Sequence, residues 1–159
     1  RVAGPGQRLA PVPRPLDHAV GQRREVMIVA VDRLLDANFL ISRWRDGDKS
    51  PAAKWLRANA GLVVGLPWMV KAEFLRGAAV AGHQRREVRE FLDRFPVTWP
   101  DEGTLDIYAA QFAKLRAVNA LPGPHDLWIA VSALQQGIPL VTRNTQQFAK
   151  VDGLQLESY

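Results

Sequence analysis

The sequence contains no cysteine among its 159 residues. This absence excludes disulfide bonds, thiolate-bound zinc, iron–sulfur clusters and a cysteine nucleophile. Long apolar runs are also missing, because arginine, aspartate, glycine or proline interrupts each hydrophobic stretch before the roughly 18 to 20 residues that a membrane-spanning helix requires. The sequence also lacks the glycine-rich loops that bind dinucleotides or nucleoside triphosphates. We therefore expect a cytoplasmic protein without a membrane partner.

Residues 1–26 differ in composition from the rest of the chain. They hold four of the eleven prolines and three of the twelve glycines, and they show no apolar period. They also lack the continuous apolar stretch of a secretory signal. We expect residues 1–26 to be a disordered or vector-derived tail and residues 27–159 to form one domain, the usual number for this length.

The charge of the chain is basic, with 21 lysines and arginines against 16 acidic residues, a net charge of +5. Five arginines and two acids lie in residues 1–26, so this segment carries +3 and residues 27–159 carry only +2. The predicted domain is thus mildly basic. Net charge alone does not indicate a nucleic-acid partner.

Short apolar runs alternate with helical patterns from Met27 onward. Each predicted strand is bounded by turn residues or by a helix, and the strands are residues 27–35, 62–65, 96–98, 138–142 and 154–157. Such alternation predicts βαβ units. The expected fold is therefore α/β, with a mostly parallel central sheet that helices cover on both faces.

Four polar residues stand near the predicted carboxyl ends of strands, where ligand clefts of parallel sheets form. Three are acids and one is an amide: Asp36, Glu73, Asp126 and Asn144. Each also has an ordinary structural explanation, such as a helix cap for Asp36, a helix-dipole interaction for Asp126 or a turn for Asn144. Three carboxylates at one edge, however, would repel one another and raise each other's pKa unless a cation lay between them.

The cation that suits these ligands is Mg²⁺ or Mn²⁺, because carboxylate oxygens favour hard divalent ions. No paired histidine motif suggests zinc, and we interpret His125 as a residue at the start of a helix. A carboxylate-held ion of this kind is suited to phosphate chemistry, since it polarises the phosphate and activates a water molecule. The residues therefore predict a metal site at Asp36, Glu73 and Asp126.

Four blocks of sequence resemble, in order and spacing, the signature blocks of PIN-domain ribonucleases, and above all those of the VapC-like toxins of bacterial type II toxin–antitoxin modules. The blocks are LLDANFLI at 34–41, MVKAEFLRG at 69–77, PHDLWIAVSAL at 124–134 and IPLVTRNTQQF at 138–148. The resemblance implies a PIN-like three-layer α/β/α fold and a Mg²⁺- or Mn²⁺-dependent endoribonuclease. It also implies hydrolysis by metal-activated water, a homodimer, and a cognate antitoxin that docks on an apolar surface between the early helices.

The resemblance also assigns roles to individual residues. Asp36, Glu73 and Asp126 correspond to the acids that hold the metal. Asn38 corresponds to the family's asparagine that orients the first acid, and Thr142 to a hydroxyl near the metal. Asn144 stands in the block where many members have a fourth acid, so a second metal ion is in doubt. Four arginines near the blocks are candidates for binding RNA phosphates: Arg43, Arg45, Arg76 and Arg143.

Two other functions remain open at this point. The first is a PIN-like module that binds RNA or a protein without cutting, which the three acids argue against and Asn144 leaves open. The second is another Mg²⁺-dependent phosphohydrolase or DNA nuclease, which fold alone does not exclude.

Overall fold

The computed structural model describes residues 30–159. The tail expected at residues 1–26 lies outside this range, as does the beginning of the first predicted strand. Within residues 30–159, none of the helices has the length and apolar character needed to span a membrane.

The described part of the chain has at its centre a sheet of five strands, each parallel to its neighbour, in the order β3-β2-β1-β4-β5. The strands are β1 (Arg33–Leu35), β2 (Val64–Pro67), β3 (Val97–Thr98), β4 (Leu140–Val141) and β5 (Leu156–Glu157). In the centre of the sheet, Leu34 lies opposite Gly65 on one side and Leu140 on the other. The predicted α/β fold with a parallel sheet is confirmed.

Four of the five strands are shorter than predicted, and the differences are largest in β1 and β4. The first run extends over residues 27–35, but β1 has three residues; the run at 138–142 yields a β4 of two. Apolar character reports burial, whereas the length of a strand depends on the hydrogen-bond ladder. Pro139 has no N–H to donate, and Asp36 leaves β1 to begin a helix.

The sheet strands are joined by helices and a short 3₁₀ turn at Gly47–Lys49. The helices are α1 (Ala37–Asp46), α2 (Pro51–Ala58), α3 (Trp68–Val80), α4 (Arg85–Leu92), α5 (Glu102–Ala117), α6 (Pro124–Gln136) and α7 (Thr145–Phe148). Several helix ends follow from local chemistry. The Ser50 hydroxyl caps α2 by accepting from the N–H of Ala53, and Gly137 ends α6 with φ +64°, a conformation that favours glycine.

An aromatic cluster holds three helices together on one flank of the sheet. Trp44 of α1 makes edge contacts with Phe74 of α3 and Phe91 of α4, at centroid separations of 5.8 and 5.1 Å. Phe74 and Phe91 stack on each other at 5.4 Å. Because α1 starts at Asp36 and α3 carries Glu73, this packing sets the distance between the first two predicted acids.

Candidate active site

Asp36 lies at the carboxyl end of β1, where the chain enters α1. Its Oδ1 atom accepts a 2.8 Å hydrogen bond from the backbone N–H of Phe39 and thereby caps α1. Its Oδ2 atom accepts a 2.6 Å hydrogen bond from the hydroxyl of Thr142, which follows the neighbouring strand β4. Only 3% of Asp36 is exposed. The helix cap therefore fixes this carboxylate at the edge of the sheet.

The hydroxyl of Thr142 connects Asp36 to the loop after β4. Thr142 is fully buried. Its Oγ1 atom donates to Asp36 and accepts a 3.0 Å hydrogen bond from the N–H of Asn144. The hydroxyl hydrogen and a lone pair are both engaged, so Thr142 orients one Asp36 oxygen.

The other two acids lie on helices and are only half-buried. Glu73 of α3 has its Oε1 atom 2.7 Å from Nδ1 of His125. Asp126 follows His125 in α6. Its Oδ2 atom accepts a hydrogen bond from Nε2 of Gln147 in α7. Each of these acids is thus held by a side chain rather than by a buried hydroxyl and a helix cap.

All three acids line one cavity of about 340 Å³, which we call the acid cavity. Its remaining polar lining consists of Asn38, Arg76, Asn144 and Gln147. Gly123 leaves room for Asp126, because a Cβ atom at Gly123 would lie only 2.8 Å from Oδ2 of that carboxylate. Residues distant in sequence therefore converge at the carboxyl edge of the sheet, as expected for a parallel α/β fold.

The electrostatics of the acid cavity disfavour negative charge. Burial raises the pKa of Asp36 above its usual value, an effect that the hydrogen bonds from Thr142 and Phe39 partly offset and the charge of Asp126 reinforces. Burial also raises the pKa of Asp126, and the negative charge of Glu73 raises it further. A divalent cation near these oxygens would reverse the direction of both pKa shifts.

Within residues 30–159, no three histidine, aspartate or glutamate side chains lie close enough together to form a ready-made metal site. Like charges repel, and each acid of the cavity is held by its own hydrogen-bond partner. The donor chemistry nevertheless fits Mg²⁺ or Mn²⁺, since the cavity offers three carboxylates and amide oxygens and no sulfur.

The two asparagines differ from what the resemblance implies. Asn38 is exposed along the cavity wall and forms no hydrogen bond with Asp36; Thr142 supplies the orienting contact instead. Asn144 donates through Nδ2 to Oε1 of Gln147, so it reaches Asp126 only through that glutamine. Gln147 carried no signal of its own in the sequence. Its spacing of three from Asn144, on the first turn after β4, is the one feature that could have indicated it.

The four predicted arginines do not share one surface. Arg76 lines the acid cavity, and Arg45 and Arg143 line an adjoining cleft. Arg43 is the exception, because it pairs with Asp48 at 2.8 Å and lines a separate hollow. Residues that are two positions apart in an α-helix differ by about 200° around its axis. Arg43 and Arg45 of α1 therefore face different directions. Arg43 therefore lies apart from the acid cavity and the basic cleft, and its contact with RNA stays a prediction.

Two clefts flank the acid cavity along α1. The apolar groove has a volume of about 530 Å³ and is lined by Trp44, Phe74, Ala78 and His83 among others; it shares Ile41 and Glu73 with the acid cavity. The basic cleft, of about 370 Å³, is lined by Ser42, Arg45, Arg143 and Tyr159 and shares Asn38, Ile41 and Asn144 with the acid cavity.

A parallel sheet in the order β3-β2-β1-β4-β5, with acids converging at its carboxyl edge, defines a class of small α/β domains. The family model of the PIN domain matches residues 33–154, which include the whole acid cavity. The chain belongs to the PIN-domain family.

Individual proteins resemble the chain over most of its length. The sequence is 28% identical over 131 residues to Ribonuclease VapC1 of Haemophilus influenzae strain R2866, covering 79% of this chain and 96% of that protein. The fold resembles VapBC2 from Rickettsia felis bound to a promoter DNA fragment, with a TM-score of 0.72, 20% identity, and coverage of 80% of this chain and 98% of that one. A toxin–antitoxin complex from Klebsiella pneumoniae is 26% identical with a TM-score of 0.60, over 77% and 94% of the two chains. The resemblance to VapC-like PIN-domain ribonucleases is confirmed.

Proposed function

We propose that this protein is a Mg²⁺- or Mn²⁺-dependent endoribonuclease toxin of the VapC type. The observation that carries the proposal is the convergence of Asp36, Glu73 and Asp126 on one cavity. The similarity to Ribonuclease VapC1 over nearly its full length supports RNA as the substrate. We further propose that residues 27–159 constitute the functional domain.

The three carboxylates would hold the cation. When bound, a divalent ion would neutralise charge on the phosphodiester and lower the pKa of a water molecule for in-line attack. Burial favours the neutral form of Asp36 and Asp126, so these acids have an electrostatic reason to bind a cation. Thr142 and the α1 cap keep Asp36 in a single orientation while this occurs.

The arginines near the cavity would receive the RNA backbone. Arg76 lines the acid cavity, and within residues 30–159 neither it nor Arg143 forms an ion pair. Guanidinium groups bind phosphate oxygens in a bidentate manner. RNA phosphates on either side of the cut would therefore contact arginine, while the phosphate at the cut would lie among the acids.

The test is cleavage of total RNA by purified protein, with Mn²⁺ or with EDTA. Wild-type protein should cut only with the metal and leave 5′-phosphate and 3′-hydroxyl ends, which ligation assays identify. Asp36→Asn and Asp126→Asn should both abolish cutting. Equal cutting by the variants would mean a contaminant or a different site and would overturn the proposal. Equal cutting of single-stranded DNA would favour a general nuclease, and RNA binding without cutting would favour an inactive binding module.

A cognate antitoxin is the second part of the proposal, since solved structures similar to this chain are toxin–antitoxin complexes. The apolar groove is its docking site in this proposal. The groove adjoins the acid cavity through Ile41 and Glu73, so a segment lying in it could place a basic side chain among the acids.

Growth and binding assays test the antitoxin. Expression of the protein alone should arrest growth, and co-expression of a small antitoxin gene from the neighbouring reading frame should restore it. His83→Glu at the exposed edge of the groove should weaken the rescue while leaving the toxicity intact. A harmless protein that binds no product of the neighbouring frame would contradict this part. The homodimer implied by the family stays a prediction, for sedimentation to check.

A further inference from the structure

The basic cleft contains two buried hydroxyls that have no hydrogen-bond partner among residues 30–159. Ser42 lies on α1 and is only 6% exposed, and its Oγ atom has no partner. The Tyr159 hydroxyl is likewise buried and unpaired. Buried polar groups in proteins are normally hydrogen-bonded. Two exceptions lining one cleft indicate a place where a ligand supplies the missing partners.

The rings and charges of the cleft favour a phosphate-bearing ligand. The guanidinium carbon of Arg143 lies 4.8 Å from the centroid of the Tyr159 ring. Arg45 lines the same cleft and pairs with the exposed Asp46 at 3.0 Å, a surface contact that a phosphate can replace. The Tyr159 ring also makes an edge contact with Phe39 at 4.6 Å. Because Arg143 and Phe39 already contact this ring, Tyr159 offers a ligand its hydroxyl rather than a free stacking surface.

The position of the cleft relates it to the predicted chemistry. Asn38, Ile41 and Asn144 line both the basic cleft and the acid cavity, so the two spaces are continuous. A strand whose reacting phosphate lies among the acids would place its next nucleotide in the basic cleft. The volume of about 370 Å³ is in the range of small-ligand sites.

We propose that the basic cleft binds the nucleotide next to the scissile phosphate, with Arg143 and Arg45 on its phosphate and the hydroxyls of Ser42 and Tyr159 on its base. This inference rests on the proposed ribonuclease function. A hydroxyl can donate and accept, and a site built to hydrogen-bond a base discriminates against a base that leaves it unpaired. Both hydroxyl oxygens are buried, so each side chain must turn toward the cleft for its oxygen to reach the base. The two hydroxyls are therefore specificity-determining residues for one position of the RNA.

The test is cleavage of a randomised single-stranded RNA pool, with sequencing of the bases on both sides of each cut. Wild-type protein should prefer a base at one position next to the cut. Ser42→Ala and Tyr159→Phe should each reduce that preference about 3- to 10-fold, the effect of one hydrogen bond, through KM rather than kcat. Tyr108→Phe is the matched control, because Tyr108 stacks on Trp128, away from the cleft, and it should leave the preference unchanged.

Arg143→Gln separates phosphate contacts from base contacts. It should weaken binding of all sequences alike and lower the salt dependence of binding by about one phosphate contact. Binding is measured in the Asp126→Asn background, where the RNA stays intact. Thermal unfolding of each variant checks that the fold is retained, and removal of an unpaired hydroxyl should not lower the melting temperature.

The outcomes distinguish this inference from the function on which it rests. A wild-type protein that cuts no RNA defeats the proposed function. A wild-type protein that cuts RNA while Ser42→Ala and Tyr159→Phe keep its base preference and KM overturns the basic cleft as a nucleotide site.

Discussion

The two sides of the acid cavity are built differently. On the strand side, Asp36 is 3% exposed and Thr142 is fully buried, and their contacts involve the ends of two adjacent strands and a helix cap. On the helix side, Glu73 and Asp126 are half-buried, and the side chains of His125 and Gln147 hold them. The strand side is thus part of the sheet, whereas the helix side depends on side chains.

The difference has an energetic meaning. Breaking a buried hydrogen bond leaves an unpaired group and costs about 1–3 kcal/mol, while a bond near solvent contributes about 0.5–1.5 kcal/mol. The strand side should therefore keep its geometry when a cation binds. The helix side should exchange its partners, because water can replace His125 or Gln147 at a half-buried carboxylate. Four predictions test this contrast, from the largest expected effect to the smallest.

Removing a charge on either side should abolish the reaction. Asp36→Asn and Glu73→Gln should each slow RNA cleavage by about 10³-fold or more, since a metal ligand supplies several kcal/mol of transition-state stabilisation. Single-turnover cleavage at saturating Mn²⁺ measures this. Loss confined to Asp36→Asn would mean that only the strand side belongs to the site.

Removing the Thr142 hydroxyl should destabilise the strand side more than the loss of Gln147 destabilises the helix side. Thr142→Val leaves Oδ2 of Asp36 and the N–H of Asn144 without their partner, so we expect a loss of about 1–3 kcal/mol in the free energy of unfolding and of about 10- to 100-fold in cleavage. Urea unfolding and cleavage rates measure both. Thr98→Val is the control, because the Thr98 hydroxyl makes only a 3.4 Å contact with the Leu66 carbonyl. Equal destabilisation by Gln147→Ala would remove the contrast.

Adding a charge on the helix side should tighten metal binding. Gln147→Glu places a fourth acid beside Asp126, and we expect Mn²⁺ to bind about 10-fold more tightly, within the range by which groups around a ligand tune metal affinity. Titration followed by electron paramagnetic resonance measures the affinity without RNA. Gln146→Glu is the matched control, since Gln146 is the exposed neighbour. An unchanged affinity in Gln147→Glu would show that residue 147 does not reach the ion.

The pH dependence of stability should reveal the buried carboxylate. The pKa of Asp36 is raised by burial, so its contribution to stability is complete below the ordinary value of about 3.8 and is lost as pH rises through the raised pKa. In EDTA, the melting temperature of wild type should therefore fall relative to Asp36→Asn as pH increases from about 4 to 7. Mn²⁺ should reverse this trend.

The comparison with Asp36→Asn isolates that effect. Hydrogen bonds lower the pKa of the exposed Asp46, Asp101 and Asp152. These three acids therefore make the protein more stable as pH rises, the opposite of the effect of Asp36. They are present in both proteins and cancel in the difference. A difference that stayed constant with pH would mean that Asp36 titrates normally.

The order of elements could be read from the sequence because it depends on local patterns. Apolar runs that alternate with helical spacing specify βαβ units, and the order of strands and helices follows from them. Strand lengths could not be read in this way, because the ladder and not the apolar character sets them, as Asp36 does at the end of β1 and Pro139 before β4.

The site was predicted in part. The three acids could be named because a carboxylate near a strand end needs an explanation, and the four blocks resembled a known family. Thr142, the partner of Asp36, was named from the same resemblance, whereas the partners of Glu73 and Asp126 could not be named. His125 resembled a helix-start residue and Gln147 an ordinary polar side chain, and only the packing of α3, α6 and α7 brings them to Glu73 and Asp126.

By itself the sequence determined the class of fold and which acids stand near the ends of strands, since both depend on neighbours along the chain. Only the tertiary structure decided which side chains hold each acid and that Arg43 lies apart from the cavity while Arg45 and Arg143 line the basic cleft. It also decided that two hydroxyls of that cleft have no partner in the described part of the chain. Those features depend on how helices pack across the sheet, and packing joins residues that are up to about a hundred positions apart.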